Sequence, residues 1–107
     1  MARNLPERFT ASDRLQSFPT EASSRIIAEL AASREAIARL LDGLAGAALS
    51  QDQTDGLRIT LEGDEIVHFR PSGNAPELRC YAESANAERS AELVRECLAR
   101  LKARLND

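Results

Sequence analysis

Residues 70–79 bring together several side chains that can bind an anion. Arg70 and Arg79 flank a stretch of turn-forming residues, and at the two strand ends of a hairpin both guanidinium groups would converge on one oxyanion. Ser72 offers a hydroxyl, Asn74 offers a side-chain amide, and Gly73 lets backbone N–H groups approach a phosphate closely. The pattern favours a phosphate monoester or a similar oxyanion as the ligand. The same composition is also that of an ordinary turn between strands.

The residues around this loop show the periodicity of strands and of a long helix. Alternating apolar and polar residues predict strands over 57–61, 66–70 and 78–83, with a turn at 62–65. A single apolar face at helical spacing predicts a helix over 87–105. The loop at 71–76 therefore joins two strands that are expected to run antiparallel.

The first half of the chain is predicted to be mostly helical. Apolar residues at helical spacing indicate helix over 20–44, and Ser33 with the charged pair after it leaves open whether this is one helix or two. Residues 8–15 predict a strand that leads into a turn, and the polar residues 50–56 predict a loop. Because strands and helices are segregated along the chain, the expected fold is α+β, with an antiparallel sheet of about four strands and helices packed on one face.

Composition and charge exclude several classes of partner. The chain has 107 residues, enough for one domain, and 14 Lys+Arg against 17 Asp+Glu with no Trp, which disfavours nucleic-acid binding. The longest apolar run falls far short of the roughly 20 residues of a membrane span, and the N-terminus has no signal-peptide core. Cys80 and Cys97 have neither disulfide-framework nor zinc-site spacing, so we expect two buried thiols and a cytoplasmic location.

Other polar residues are not predicted to form a metal site. Asp52 and Asp55 lie in a polar stretch and are expected to be solvated, because a magnesium site needs more oxygen ligands close together. His68, the single histidine, has no second ligand near it in sequence. It is expected on the sheet surface near the loop and not as a metal ligand.

A family pattern matches residues 70–83, which read RPSGNAPELRCYAE. This stretch resembles the C-terminal domain of the α-D-phosphohexomutases, in particular the bacterial phosphomannomutases, where the pattern is Arg-x-Ser-Gly-Thr-Glu-Pro-x-x-Arg followed by Val-Tyr-x-Glu. Residues 5–20 resemble the segment that opens this domain, and the resemblance covers roughly residues 5–101. Asn74 and Ala75 replace the family's Thr-Glu, which keeps a hydrogen-bond donor but removes a carboxylate.

The resemblance implies the fourth, TBP-like domain of an enzyme that interconverts the 1- and 6-phosphates of a hexose. In that family a phosphoserine, Mg²⁺ and a sugar-reading loop lie in the other three domains, so no catalytic residue, metal or cofactor is expected in this chain. Carried over by position, Arg70, Ser72, Gly73 and Asn74 would bind the non-reacting phosphate, and Arg79 would support or orient the loop. The domain would close the active-site cleft against other domains of the same polypeptide. Residues 1–19 would then be a lead-in from the preceding domain, with the first strand included.

Several functional alternatives stay open at this point. The resemblance favours interconversion of mannose 1-phosphate and mannose 6-phosphate, with a phosphoglucomutase or phosphoglucosamine mutase as the alternative. A further alternative is a free-standing, non-catalytic module that binds mannose or glucose phosphate. Residues 10–12, Thr-Ala-Ser, begin like the family's nucleophile motif, but Asp13 follows where that motif has His. Ser12 is therefore expected to form strand or turn hydrogen bonds and not to be catalytic.

Overall fold

The computed structural model describes residues 8–16, 18–71 and 76–105. The elements are, in chain order, β1 (Phe9–Leu15), α1 (Thr20–Ala32), α2 (Arg34–Leu41), β2 (Ala48–Asp52), β3 (Leu57–Leu61), a 3-10 turn (Glu62–Asp64), β4 (Ile66–Pro71), β5 (Leu78–Ser84) and α3 (Ala87–Leu105). The strands of this described part form one five-stranded antiparallel sheet in the order β1-β5-β4-β3-β2. The α+β fold is thus confirmed, with five strands where about four were expected.

The hydrophobic core lies between one face of the sheet and the three helices. Alternate residues of β3, β4 and β5 are almost wholly buried, as the period of two predicts for strands with one covered face. Together with residues from α1, α2 and α3 they form one continuous core. Its fully buried large members are Phe18, Leu30, Leu57, Ile59, Leu61, Val67, Phe69, Leu78, Cys80, Leu93, Cys97 and Leu101. The other face of the sheet carries mostly polar side chains.

Two helices, and not one, occupy residues 20–41. Ser33 separates them with an extended backbone at φ −143° and ψ 117°, and its side chain accepts a hydrogen bond from the Ala36 N–H at 3.2 Å. A serine in this position satisfies an N–H that the first turn of a helix leaves without a partner. The break lets α1 and α2 each turn an apolar face, through Leu30 and Ile37, toward the same core.

The predicted loop over 50–56 is wrong in its first part, because Ala48–Asp52 forms strand β2. This strand pairs with β3 through a register shift between Ala48 and Ser50 and forms one edge of the sheet. All five of its residues are exposed. An edge strand with no buried face shows no hydrophobic alternation, which is the signal that identified the other strands.

The strands predicted at 8–15, 57–61, 66–70 and 78–83 and the helix predicted at 87–105 are confirmed to within one residue at their ends. Both cysteines are free and buried, as expected. A hydrogen bond with Cys97 and burial raise the pKa of the Cys80 thiol far above its ordinary range, so it stays protonated. In the part of the chain that the structure describes, no helix is long and apolar enough to cross a membrane.

Replacing the capping serine tests the helix break. Ser33→Ala leaves the Ala36 N–H without its side-chain acceptor, and we expect a loss of about 0.5–2 kcal/mol in the free energy of unfolding. Ser24→Ala is the matched control, because Ser24 is exposed within α1 and alanine is favourable there. Urea denaturation followed by circular dichroism measures both. Equal stability of the two variants would contradict the capping role.

Candidate functional site

The hairpin of β4 and β5 brings the two predicted arginines together. Arg70 and Arg79 are direct cross-strand partners in the antiparallel register. Their neighbours Phe69 and Cys80 are buried in the core, so both arginine side chains lie on the opposite, open face of the sheet. The proximity that the sequence predicted for the two strand ends is therefore present.

The loop between these strands is described only at its ends. Ser72, Gly73 and Asn74, the other predicted site residues, lie outside the described residues, and their binding roles stay predictions. On the downstream side the Phe18 N–H donates to the Pro76 carbonyl at 2.7 Å. Phe18 itself is buried in the core, so this hydrogen bond ties the end of the loop to the segment that enters α1.

Each arginine at the mouth of the loop pairs with one carboxylate. Arg70 Nη2 lies 3.2 Å from Asp55 Oδ2, and Arg79 Nε lies 3.7 Å from Glu77 Oε2. The arginine side chains are 41% and 47% exposed respectively. Ion pairs at this exposure are screened by water and contribute little to stability. The Asp55 side chain is 62% exposed, so another oxyanion can replace its carboxylate beside Arg70 at small cost.

The turn between β2 and β3 places Asp55 beside Arg70. Gly56 has φ +73°, and a Cβ atom built there would lie 2.2 Å from the Phe69 carbonyl oxygen. A side chain at this position is excluded both by the left-handed backbone and by the contact with β4. Glycine therefore lets the turn approach Phe69, the residue directly before Arg70. Asp55, which was expected to be solvated, is exposed and also forms an ion pair with Arg70.

His68 lies on the open face of β4, as the sequence predicted. It is the cross-strand partner of Tyr81 on one side and of Arg58 on the other, and its ring lies 6.0 Å from that of Tyr81. Its Nε2 donates to the Asp55 carbonyl. Within residues 8–16, 18–71 and 76–105, no group of three or more His, Cys, Asp or Glu could hold a metal ion.

Sequence reasoning did not identify Glu77, Gly56 or the pairing of Asp55 as parts of this site. Glu77 belongs to the same ten-residue stretch as the two arginines, so its position was the one available signal. Asp55 and Gly56 come from a different hairpin. Their approach to Arg70 depends on the pairing of β3 with β4, which brings Leu57 opposite Phe69.

Asp52 shapes the turn that carries Asp55. Its Oδ1 accepts a hydrogen bond from the Thr54 N–H at 2.7 Å. Hydrogen bonds from the Thr54 side chain and backbone hold the pKa of the Asp52 carboxyl below its ordinary value of 3.8. The ionised form of Asp52 is thus the form that closes this turn.

Comparisons with known proteins identify the kind of domain to which this site belongs. The sequence pattern of the family described as "Phosphoglucomutase/phosphomannomutase, C-terminal domain" matches residues 22–100. A phosphomannomutase of Salmonella muenchen is 38% identical over 105 residues, which are 98% of this chain and 22% of that protein. A phosphomannomutase of Sinorhizobium fredii is 40% identical over 92 residues, 86% of this chain and 19% of that protein. The chain spans about a fifth of the length of these curated relatives, and the resemblance found in its sequence is confirmed.

Removing the Thr54 hydroxyl tests the closure of the turn. In Thr54→Ala we expect the pKa of Asp52 to rise toward 3.8 while the backbone hydrogen bond keeps it somewhat lower. A carboxyl group whose pKa is lower in the folded than in the unfolded state stabilises the fold at pH values above its unfolded-state pKa. The stabilisation by Asp52 is lost as the pH falls through its folded-state pKa. Carboxyl ¹³C NMR titration measures the change, with Thr60→Ala as the control on the adjacent strand. An Asp52 pKa that is the same in Thr54→Ala and the wild type would show that the Thr54 hydroxyl does not lower it.

Proposed function

The chain belongs to the phosphoglucomutase/phosphomannomutase C-terminal domain family, and on that basis we propose that it binds the non-reacting phosphate of a hexose phosphate. The proposal is carried by one observation, the placement of Arg70 and Arg79 as cross-strand partners at the mouth of the β4–β5 loop. Both lie within the residues that the family pattern matches.

The chemistry of this pair suits a phosphate monoester. A guanidinium group presents parallel N–H donors that match two oxygens of a phosphate, and charge-assisted hydrogen bonds of this kind are stronger than neutral ones. In the proposed complex Arg70 binds the phosphate directly, and Arg79 supports or orients the loop. Ser72, Gly73 and Asn74 add a hydroxyl, a backbone N–H and an amide.

In this proposal the exposed Asp55 carboxylate acts as a substitute for the phosphate before it binds, and the less exposed Glu77 stays in place. Both carboxylates compensate the arginine charges in the absence of a ligand. Because the Arg70–Asp55 ion pair is solvent-accessible, its replacement by a phosphate involves a small loss of stability. Ordering the arginines in advance also lowers the entropy cost of binding.

In a longer polypeptide this domain would position the sugar and leave the reaction to other domains. Holding one phosphate fixes which end of the hexose faces the reacting groups, and closing the domain over the cleft excludes water. The reaction we propose for that polypeptide is the interconversion of mannose 1-phosphate and mannose 6-phosphate, as both curated relatives carry the name phosphomannomutase.

In this proposal the Mg²⁺ that the family resemblance implies is bound by the rest of the polypeptide and not by this domain. The proposed setting is the cytoplasm, because buried free thiols such as Cys80 and Cys97 are typical of reducing compartments.

Replacing Arg70 tests the phosphate-binding role. Arg70→Ala removes a bidentate charged contact, and we expect mannose 6-phosphate to bind about 2–4 kcal/mol more weakly, or roughly 30- to 1000-fold. Arg95→Ala is the matched control, because Arg95 is an exposed arginine of α3 and its removal changes the net charge equally. Amide chemical-shift titration of the chain measures both affinities.

The same titration with three ligands tests whether binding depends on the phosphate group. We expect mannose 6-phosphate and glucose 6-phosphate to bind with similar affinity, because the domain is proposed to recognise the phosphate and not the hexose epimer. Unphosphorylated mannose should cause no shifts at residues flanking the loop. Equal binding of mannose and its phosphate, or an Arg70→Ala variant as strong as wild type, would contradict the proposed function.

A further inference from the structure

We propose that Arg14 is a third arginine of the phosphate site, placed there by the pairing of β1 with β5. The inference rests on the proposed phosphate-binding role of Arg70 and Arg79 and extends that site across one more strand. Arg14 lies outside residues 22–100, the part matched by the family pattern. Neither the pattern nor the loop motif assigns it a role.

The strand register places three arginines in one row. Arg14 is the cross-strand partner of Arg79, and Arg79 is the partner of Arg70. Directly paired residues have Cα atoms about 4.5–5.5 Å apart and point to the same face of the sheet. The row thus crosses β1, β5 and β4 on the open face, at the end of the strands from which the loop extends.

Such a row is unfavourable without an anion. Like charges directly opposite each other on neighbouring strands destabilise a sheet. Two carboxylates, Glu77 and Asp55, pair with the three guanidinium groups. When a phosphate takes the place of Asp55, Glu77 alone leaves two of the three positive charges unbalanced, and a phosphate dianion carries the two negative charges that balance them.

Glu77 connects Arg14 to the predicted site. Its Oε1 lies 3.4 Å from Arg14 Nε and its Oε2 lies 3.7 Å from Arg79 Nε, so one carboxylate spans both arginines. The Glu77 side chain is only 15% exposed, whereas the Arg14 side chain is 53% exposed. Glu77 is therefore the fixed member of the group. Because both contacts use Nε, the edge formed by the two terminal nitrogens of each guanidinium group can bind oxygens of a ligand.

A cavity of about 270 Å³ lies along this part of the open face, lined by Ser12, Asp13, Arg14, Arg79 and Tyr81. The hydroxyl groups of Ser12 and Tyr81 add neutral donors beside the two arginines. The Asp13 carboxylate accepts the Arg14 backbone N–H at 2.7 Å, which engages one of its oxygens. The cavity therefore offers a cationic end and a hydroxyl-bearing end, as a phosphate attached to a sugar requires.

Arg58 provides a comparison within the same face. It lies one row away, where its cross-strand partners are Asp52 and His68. No cross-strand arginine stands beside it, and the carboxylate of Asp52 is its direct neighbour. Arg58 thus carries the same charge as Arg14 and lies on the same face of the sheet, but Glu77 does not link it to Arg79.

The test compares inorganic phosphate and mannose 6-phosphate binding to wild type, Arg14→Ala, Arg58→Ala and Arg70→Ala by NMR titration at physiological salt. We expect Arg14→Ala to weaken binding roughly 10- to 100-fold, as the loss of a charge-assisted contact predicts. Arg58→Ala should weaken it less than about twofold, because exposed charges outside the site are screened. The Arg14 Nε–H signal of the wild type should shift when phosphate is added.

The outcomes separate this inference from the proposed function. If Arg70→Ala abolishes binding but Arg14→Ala matches Arg58→Ala, the role of Arg14 is overturned and the proposed function stands. If the wild type binds neither ligand, both are overturned. Thermal melts establish that each variant is folded, and Arg14→Gln, which keeps a polar side chain on β1, replaces Arg14→Ala if the alanine variant melts below the titration temperature.

Discussion

The rest of the structure depends on the requirement that one face of the sheet be covered by helices. Val67, Phe69, Leu78 and Cys80 are all fully buried on the covered face of the β4–β5 hairpin, where Phe69 and Cys80 are direct cross-strand partners. A one-residue shift of either strand would turn the buried residues of that strand to solvent. The hydrophobic core therefore sets the register, and the register in turn sets which polar residues meet on the opposite face.

The positions of the arginines follow from that register. Arg70 stands next to Phe69 and Arg79 next to Cys80, so burial of the apolar pair places the charged pair on the open face. The same rule applies to β1, where Leu15 is the partner of Leu78 and Arg14 is the partner of Arg79. No attraction between these side chains is needed to bring them together. The stability of the core offsets the repulsion between them. The carboxylates of Glu77, directly before β5, and of Asp55 in the β2–β3 turn reduce it.

Contacts from two other segments hold the two ends of the loop between β4 and β5. Phe18 holds Pro76 from the helix side, and the glycine turn at Gly56 brings Asp55 against β4 from the other side. These contacts come from segments before α1 and between β2 and β3. A domain that positions a phosphate for chemistry elsewhere needs rigid supports of this kind, because small displacements of a bound substrate strongly affect the rate of reaction.

The sequence by itself determined the strands β3, β4 and β5, the helix α3 and the α+β class, because each of these elements has a buried face and hence a clear hydrophobic period. It also identified the loop and its flanking arginines, which are neighbours along the chain. Strand β2 was missed because an exposed edge strand has no such period. The helix break at Ser33 needed the backbone conformation to decide between one helix and two. Only the tertiary structure brought Arg14 and Asp55 to the site, since the pairing of β1 with β5 and of β3 with β4 joins segments whose local sequences contain no signal of their partners.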